Sequence, residues 1–260
     1  MRAALSGVGQ VLELEQELFD DLTTAVSEAC NNVVLYAYDG EPGPYVVGLE
    51  IRPESIEATV RDWGTGIQQV GPSDERMGVG LAVISALADR AEFISAAEGG
   101  TEVRMAFSDR DTTIRPLEPA PDGGPGNDLP VKLTGDVVVT LSPVGLLAGL
   151  LGRLARAVAS RTHLSLDRFS DIYLITDVIA AYATSVVSAS AVSFAVAGGD
   201  RRIELTVGPF PAGDGARLLE GGLANEPRSA IALRAGEVTL ERVDGYELLH
   251  VVIDDRRPGE

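Results

Sequence analysis

The chain of 260 residues holds a single cysteine, Cys30, which excludes an intrachain disulfide and any metal site built on cysteines. Such poverty fits a reducing interior. There are two histidines, His163 and His250; neither falls in the first 112 residues, and both read as ordinary structural residues. No charged-then-apolar leader opens the chain. Its longest apolar run, VGLLAGLLG at 144–152, is far short of the ~20 residues of a membrane span and is closed by Arg153. A soluble cytoplasmic protein with no membrane contact is expected. Positive charge is scarce as well, with 21 Lys and Arg against 39 Asp and Glu and a net charge of −18. Residues 1–110 alone carry −12. Such a surface repels a phosphate backbone, which argues against direct nucleic-acid binding, and steers basic protein partners toward it.

The composition is otherwise that of a globular protein, 45% hydrophobic with 29 glycines and 14 prolines. Five of the prolines fall in PLEPAPDGGPGNDLP, residues 116–130, which reads as a linker. The expected organisation is a first domain over 1–112, a linker over 113–130 and a second domain over 131–260. In the first, MRAALSGVGQVLEL and ELFDDLTTAVSEACNNVVLYAY have helical spacing, with Leu18, Leu22, Ala25 and Ala29 on one stripe. YVVGLEIRP and SIEATVRDW alternate as strands, MGVGLAVISALAD returns to helix, and AEFISAAEGGTEVRMAF reads as a strand pair around Gly-Gly. The order is ααββαββ, an α+β fold.

The second block repeats that order. IEATVRDWGTG at 56–66 lies against IELTVGPFPAG at 203–213, an offset of 147, and AEFISAAEGGTEVRMAF lies against GEVTLERVDGYELLHVV at an offset of 145. TTAVSEACNN (23–32) parallels YLITDVIAAY (173–182), with the N-box residues carried across at an offset of about 149. Colinear matches at nearly constant offset predict a duplicated fold.

Three features of the first block carry chemistry together. Glu28 and Asn32 are four apart and share one helical face. Asp62-Trp63-Gly64-Thr65-Gly66 follows a strand, where a carboxylate can accept from an exocyclic amino group while glycines let backbone approach a flat ring. Met77-Gly78-Val79-Gly80-Leu81 precedes a helix, where glycine amides at an N-terminus can hold a phosphate. Glu28 and Asn32 would then offer oxygens to Mg²⁺.

In order and spacing these features resemble the GHKL (histidine kinase-like) ATPase superfamily, most closely its anti-sigma-factor serine/threonine kinase branch. The N box is Glu28-Ala29-Cys30-Asn31-Asn32, the first glycine box Asp62 to Gly66, the second Gly78 to Leu81, and the late Gly-Thr pair Gly100-Thr101. The resemblance implies the Bergerat fold, a two-layer α/β sandwich, binding ATP with Mg²⁺. By position, Asn32 would hold Mg²⁺ and Glu28 would be the general base, or the group that positions water beside the metal. Asp62 would take the adenine amino group with help from Thr101, Gly64 and Gly66 would lie against the base, and Gly78, Gly80 and Leu81 would form the lid over the phosphates. This chain departs from the pattern in having Tyr36 where a histidine is common, only eleven residues (67–77) between the glycine boxes, and no strand before the first helix.

At the same offsets Glu28 falls on Asp177, Asn32 on Ala181, Asp62 on Pro209, Gly64 on Pro211 and Thr101 on Tyr246, so the second domain is expected to have lost the nucleotide site. The function so implied is a kinase that phosphorylates a STAS-type anti-anti-sigma protein and sequesters a sigma factor, paired as a homodimer or an intramolecular pseudo-dimer. The alternatives are a nucleotide-gated binding protein without catalysis, and an unrelated α+β module.

Overall fold

The computed structural model describes residues 1–52, 54–65, 75–95, 99–108, 133–142, 144–187, 191–220 and 230–255, with the backbone alone for 75–78. The chain divides into two compact units, Met1–Pro116 and Leu117–Glu260.

Unit 1 begins with α1 (Arg2–Leu12) and α2 (Gln16–Asn32). Leu5, Val8 and Leu12 of α1 are buried at helical spacing. Glu13 stops the helix in a left-handed conformation (φ 54°), with its N–H donating to the Gly9 carbonyl. The buried stripe of α2 is Leu22, Ala25, Val26, Ala29 and Cys30, and it runs on through Val33 and Ala37 of a π-helical turn (Val33–Ala37). Then come β1 (Tyr45–Arg52), β2 (Ser55–Asp62), α3 (Glu75–Leu87), β3 (Arg90–Ser95) and β4 (Thr101–Ser108). The four strands form an antiparallel sheet in the order β1-β2-β4-β3. Strand alternation puts Ile56, Ala58, Val60 and Asp62 in one buried row of β2, with Val103, Met105 and Phe107 beside them on β4. An acid thus takes the fourth place in a core-facing row. The expected order ααββαββ, and the α+β class with it, is what the structure has.

Cys30 is 5% exposed and hydrogen-bonds Tyr45. Burial pushes its thiol up to about 11, well beyond the counteracting pull of the N-terminal amine and the Tyr45 hydrogen bond, so the thiolate that reacts is scarce at neutral pH.

Unit 2 contains β5 (Val137–Leu141), a 3₁₀ turn (Val144–Leu146), α4 (Leu147–Ala159), α5 (Leu166–Val186), β6 (Val192–Gly199), β7 (Arg202–Pro211), α6 (Asp214–Leu219), α7 (Ala230–Arg234), β8 (Glu237–Val243) and β9 (Tyr246–Asp254). Its sheet runs β5-β6-β7-β9-β8. Without β5 that is the strand order of unit 1. Here a strand precedes the helix pair and forms an edge of the sheet, whereas among the described residues of unit 1 the first element is α1.

Burial and register fix the correspondence between the units more finely than sequence offsets. The buried residues Ile172, Ile175, Thr176, Ile179, Ala180 and Ala183 of α5 match Leu22, Ala25, Val26, Ala29, Cys30 and Val33 at an offset of 150. The left-handed turn residues Glu13 (φ 54°) and His163 (φ 56°) keep the same offset. The helix offset near 149 is therefore corrected by one residue: Glu28 corresponds to Val178 rather than Asp177, and Asn32 to Tyr182 rather than Ala181.

The strands need the same correction. Ile56 pairs with Phe107 and Val60 with Val103 in unit 1, while Ile203 pairs with Ile253 and Val207 with Leu249 in unit 2. A register shift between Val207 and Phe210 adds a residue to β7 and sets Phe210 opposite Glu247. Measured between corresponding pairs, the β8–β9 connection is also one residue shorter than the β3–β4 connection, with four residues between Arg242 and Glu247 against five between Ser95 and Thr101. Thr101 thus corresponds to Glu247, not Tyr246, and Asp62 to Phe210, not Pro209.

In unit 2 the residue after β9, Asp255, ties that strand to the start of α5. This carboxylate accepts from the Ser165 backbone N–H (3.1 Å) and hydroxyl (2.7 Å) at the start of α5, and pairs with Arg201 at 2.8 Å. Burial alone would raise its pKa; the Ser165 hydrogen bonds and the Arg201 charge outweigh it and hold the carboxyl below its ordinary value. A depressed folded-state pKa gives stability that is present above about pH 4 and lost as pH falls through the folded value. Asp255→Ala is expected to lower unit 2 stability by about 1–2 kcal/mol at pH 7 and by much less below pH 3, read from thermal melts of the two proteins at both pH values.

Candidate functional site

Five elements of unit 1 converge on one pocket. It is lined by Ala29 and Asn32 of α2, Val33, Tyr36 and Ala37 of the π-helical turn, Val60 and Asp62 of β2, Leu81 of α3, and Thr101 and Val103 of β4. Its walls are mostly apolar and its polar groups few, as in sites for flat organic ligands.

Asp62 is 2% exposed. Its Oδ1 accepts from the Gly64 N–H at 2.8 Å and from the Thr101 N–H at 3.3 Å, which fixes the carboxylate at the strand end. Both glycines beside it are required sterically. A Cβ on Gly64 would overlap the Ala37 carbonyl, and Gly100 has φ +88° with its Cα against the Asp62 carbonyl, where a Cβ would collide. Among the described residues nothing else bonds Asp62, so Oδ2 is left to accept from a ligand.

Glu28 and Asn32 lie one turn apart on the face of α2 that meets α3. Gly80 packs directly on them: a Cβ there would stand 2.6 Å from Glu28 Oε1, 3.1 Å from Asn32 Oδ1 and 3.2 Å from Asn32 Nδ2. Asn32 Nδ2 is buried and has no hydrogen-bond partner among the described residues. An orphaned buried donor is costly unless a ligand satisfies it. Carboxylate and amide oxygens of this kind suit a hard cation such as Mg²⁺, which keeps water and phosphate as its remaining ligands. Among the described residues no group of three or more His, Cys, Asp or Glu could hold a metal without such help.

The structure therefore brings Asn32, Asp62, Leu81 and Thr101 to one pocket, with Glu28 and Gly80 adjoining it through Asn32 and Gly64 bracing Asp62. Gly78 lies in α3; Gly66 lies outside the described residues. One expectation is corrected. Helix α3 runs over Glu75–Leu87, so the second glycine box sits inside it, and Gly80 packs closely on α2 rather than standing as a free amide at a helix start. Tyr36, Val33 and Ala37 were not singled out as lining residues. The signal was there: Ala29, Val33 and Ala37 continue one spacing of four, and Tyr36 stands four beyond Asn32.

At the corresponding positions of unit 2 stand Val178, Tyr182, Phe210 and Glu247, of which Tyr182 is 5%, Phe210 0% and Glu247 1% exposed. Burial, with the Asp214 charge, raises the Tyr182 pKa, so its hydroxyl stays neutral. Glu247 accepts from the Gly215 N–H at 3.0 Å and the Ala216 N–H at 3.4 Å.

Residues 1–107 match the family model described as the Histidine kinase-like ATPase domain. With the buried acid at the end of β2 and the Glu-Asn pair under α3, that match defines the class: the chain belongs to the histidine kinase-like ATPase (GHKL) family, in its anti-sigma kinase branch. It is similar to the Anti-sigma F factor of Oceanobacillus iheyensis, 32% identical over 115 residues, which are 40% of this chain and 79% of that protein. The Serine-protein kinase RsbW of Bacillus pumilus is 32% identical over 140 residues, 45% of this chain and 86% of that protein. The Anti-sigma F factor of Caldanaerobacter subterraneus is 31% identical over 114 residues, 40% of this chain and 80% of that protein. Among the described residues no helix is long and apolar enough to cross a membrane.

Proposed function

We propose that unit 1 binds Mg·ATP and that the protein is an anti-sigma regulatory factor, a serine/threonine kinase that phosphorylates a STAS-type anti-anti-sigma protein and sequesters a sigma factor. The observation that carries the reading is the convergence of Asp62, Thr101, Leu81 and Asn32 on one apolar-walled pocket. Asp62, held by two backbone amides, is positioned to accept the adenine amino group on Oδ2. Val60, Val103 and Ala37 exclude water from the ring. Asn32 would give its oxygen to Mg²⁺, and its unpartnered Nδ2 suits a phosphate oxygen. When bound, the metal supplies charge neutralisation for the transferring phosphoryl group. Glu28 would take the proton of the acceptor hydroxyl onto a carboxylate oxygen; proximity and orientation do most of the remaining work.

Unit 2, on this reading, is a second copy of the fold whose site positions have become bulky or internally bonded. The shared strand order and the constant helix offset support duplication.

Titration calorimetry with ATP, with and without Mg²⁺, tests the binding. Wild type should bind, and Asn32→Ala should lose about tenfold in affinity in the presence of Mg²⁺ and little in its absence. Absence of any binding to wild type would sink the reading. Transfer of labelled γ-phosphate to a STAS-type acceptor, abolished in Asn32→Ala, tests the kinase. One observation favours a second reading, a nucleotide-gated binder without catalysis: α3 already lies against Glu28 Oε1, shielding the base. Tight ATP binding with no transfer would select it.

A further inference from the structure

Tyr38 follows the π-helical turn and lines no part of the pocket, yet it ties three segments together. Its hydroxyl donates to the Pro44 carbonyl and accepts from the Trp63 N–H at 3.0 Å. The residue before it, Ala37, accepts from the Thr65 N–H at 2.9 Å and is the carbonyl on which Gly64 rests. Ala37 and Tyr38 therefore grip the backbone on the far side of Asp62, at Trp63, Gly64 and Thr65, while Gly100 and Thr101 grip it on the near side. The Tyr38 ring is set in turn by Gly43, which lies so close to its face that a Cβ would overlap ring carbons. The π-helical turn matters here, because widening the last turn of α2 changes the direction in which Ala37 and Tyr38 leave the helix.

We propose that Tyr38 is a positioning residue of the nucleotide site, whose hydroxyl sets the aim of the Asp62 carboxylate and thereby the discrimination of the 6-amino group of the purine. This rests on the reading that Asp62 accepts from that amino group. Tyr38 touches no ligand; it acts through Trp63 and so through the strand end that carries Asp62. Both hydrogen bonds of the hydroxyl are lost in Tyr38→Phe, but the ring stays on Gly43 and water can serve the two exposed backbone groups, so the fold is kept.

The test compares ATP with purine riboside triphosphate, which has hydrogen in place of the 6-amino group, by calorimetry on full-length protein. Wild type should bind ATP at least about tenfold more tightly than the analogue. Tyr38→Phe should lose about fivefold for ATP and less than twofold for the analogue, narrowing the discrimination, with unchanged circular dichroism. Gly43→Ala, which displaces the ring from outside the pocket, should narrow it in the same direction. Equal losses for both nucleotides would mean general loosening and overturn the proposal, as would no loss for either. Wild type binding both equally would overturn the reading of Asp62 and the proposal with it, an outcome distinct from the other two.

Discussion

Asp62→Asn is expected to lower ATP affinity about 100-fold or more while leaving unit 1 folded. The asparagine oxygen can still accept from the Gly64 and Thr101 amides, which lie 2.8 Å and 3.3 Å from Oδ1, so the internal support of the strand end survives. The amide nitrogen then stands where Oδ2 stood, and a donor faces the donor on adenine. Losing one charge-assisted hydrogen bond and leaving two buried donors opposed is worth roughly 3 kcal/mol, or a factor of about 100. The same substitution replaces a buried acid by a neutral group, so melting temperature should hold or rise slightly. Calorimetry beside a thermal melt checks both. Unchanged ATP affinity would show that the pocket acid does not recognise the base.

Gly100→Ala should be a severely damaging single-methyl change, because it combines backbone strain with collision. The residue has φ +88°, a conformation that costs a side chain roughly 1–3 kcal/mol, and its Cβ would run into the Asp62 carbonyl and the Trp63 Cα. Relief requires the β3–β4 turn to move away from β2, which separates the Thr101 N–H from Asp62 Oδ1. The expected outcome is a stability loss of about 3 kcal/mol or more, with a loss of ATP affinity of at least about tenfold. Gly99 gives the contrast. It also has a positive φ (+93°), but the nearest atom to a Cβ there is the Gly64 carbonyl oxygen at 3.8 Å, so Gly99→Ala should show the backbone strain alone. Denaturant unfolding of the two variants separates strain from collision.

Element order was legible because each element of unit 1 carries its period openly: a four-three-four apolar stripe in α2, strict alternation in β2. The buried place of Asp62 was legible in the same alternation, since Ile56, Ala58 and Val60 point to one face and Asp62 is next in that row. What the chain did not disclose was produced by irregularities. The residue added to β7 between Val207 and Phe210 and the shorter β8–β9 connection each shift a strand register by one without changing composition. One residue suffices to exchange Phe210 for Pro209 as the partner of Asp62 and Glu247 for Tyr246 as the partner of Thr101. The second glycine box reads as a helix entry, whereas Gly80 lies inside α3, where it allows close approach to Glu28 and Asn32. Tyr38 carried no pattern at all; its role depends on contacts 6 and 25 residues away along the chain.

Glu247 bears on how unit 2 tolerates mutation. Unit 2 has a carboxylate buried as deeply as Asp62, yet one of its oxygens holds the Gly215 and Ala216 amides at the start of α6, and the other meets Arg242 at 3.4 Å. The acid has been built into the scaffold. Removing it would strand buried amides, and keeping it leaves Phe210 filling the position of Asp62 and Tyr182 that of Asn32. A single substitution at any of these three positions therefore opens a cavity or leaves a polar group unbonded, so the cluster serves unit 2 as structural support and tolerates little change.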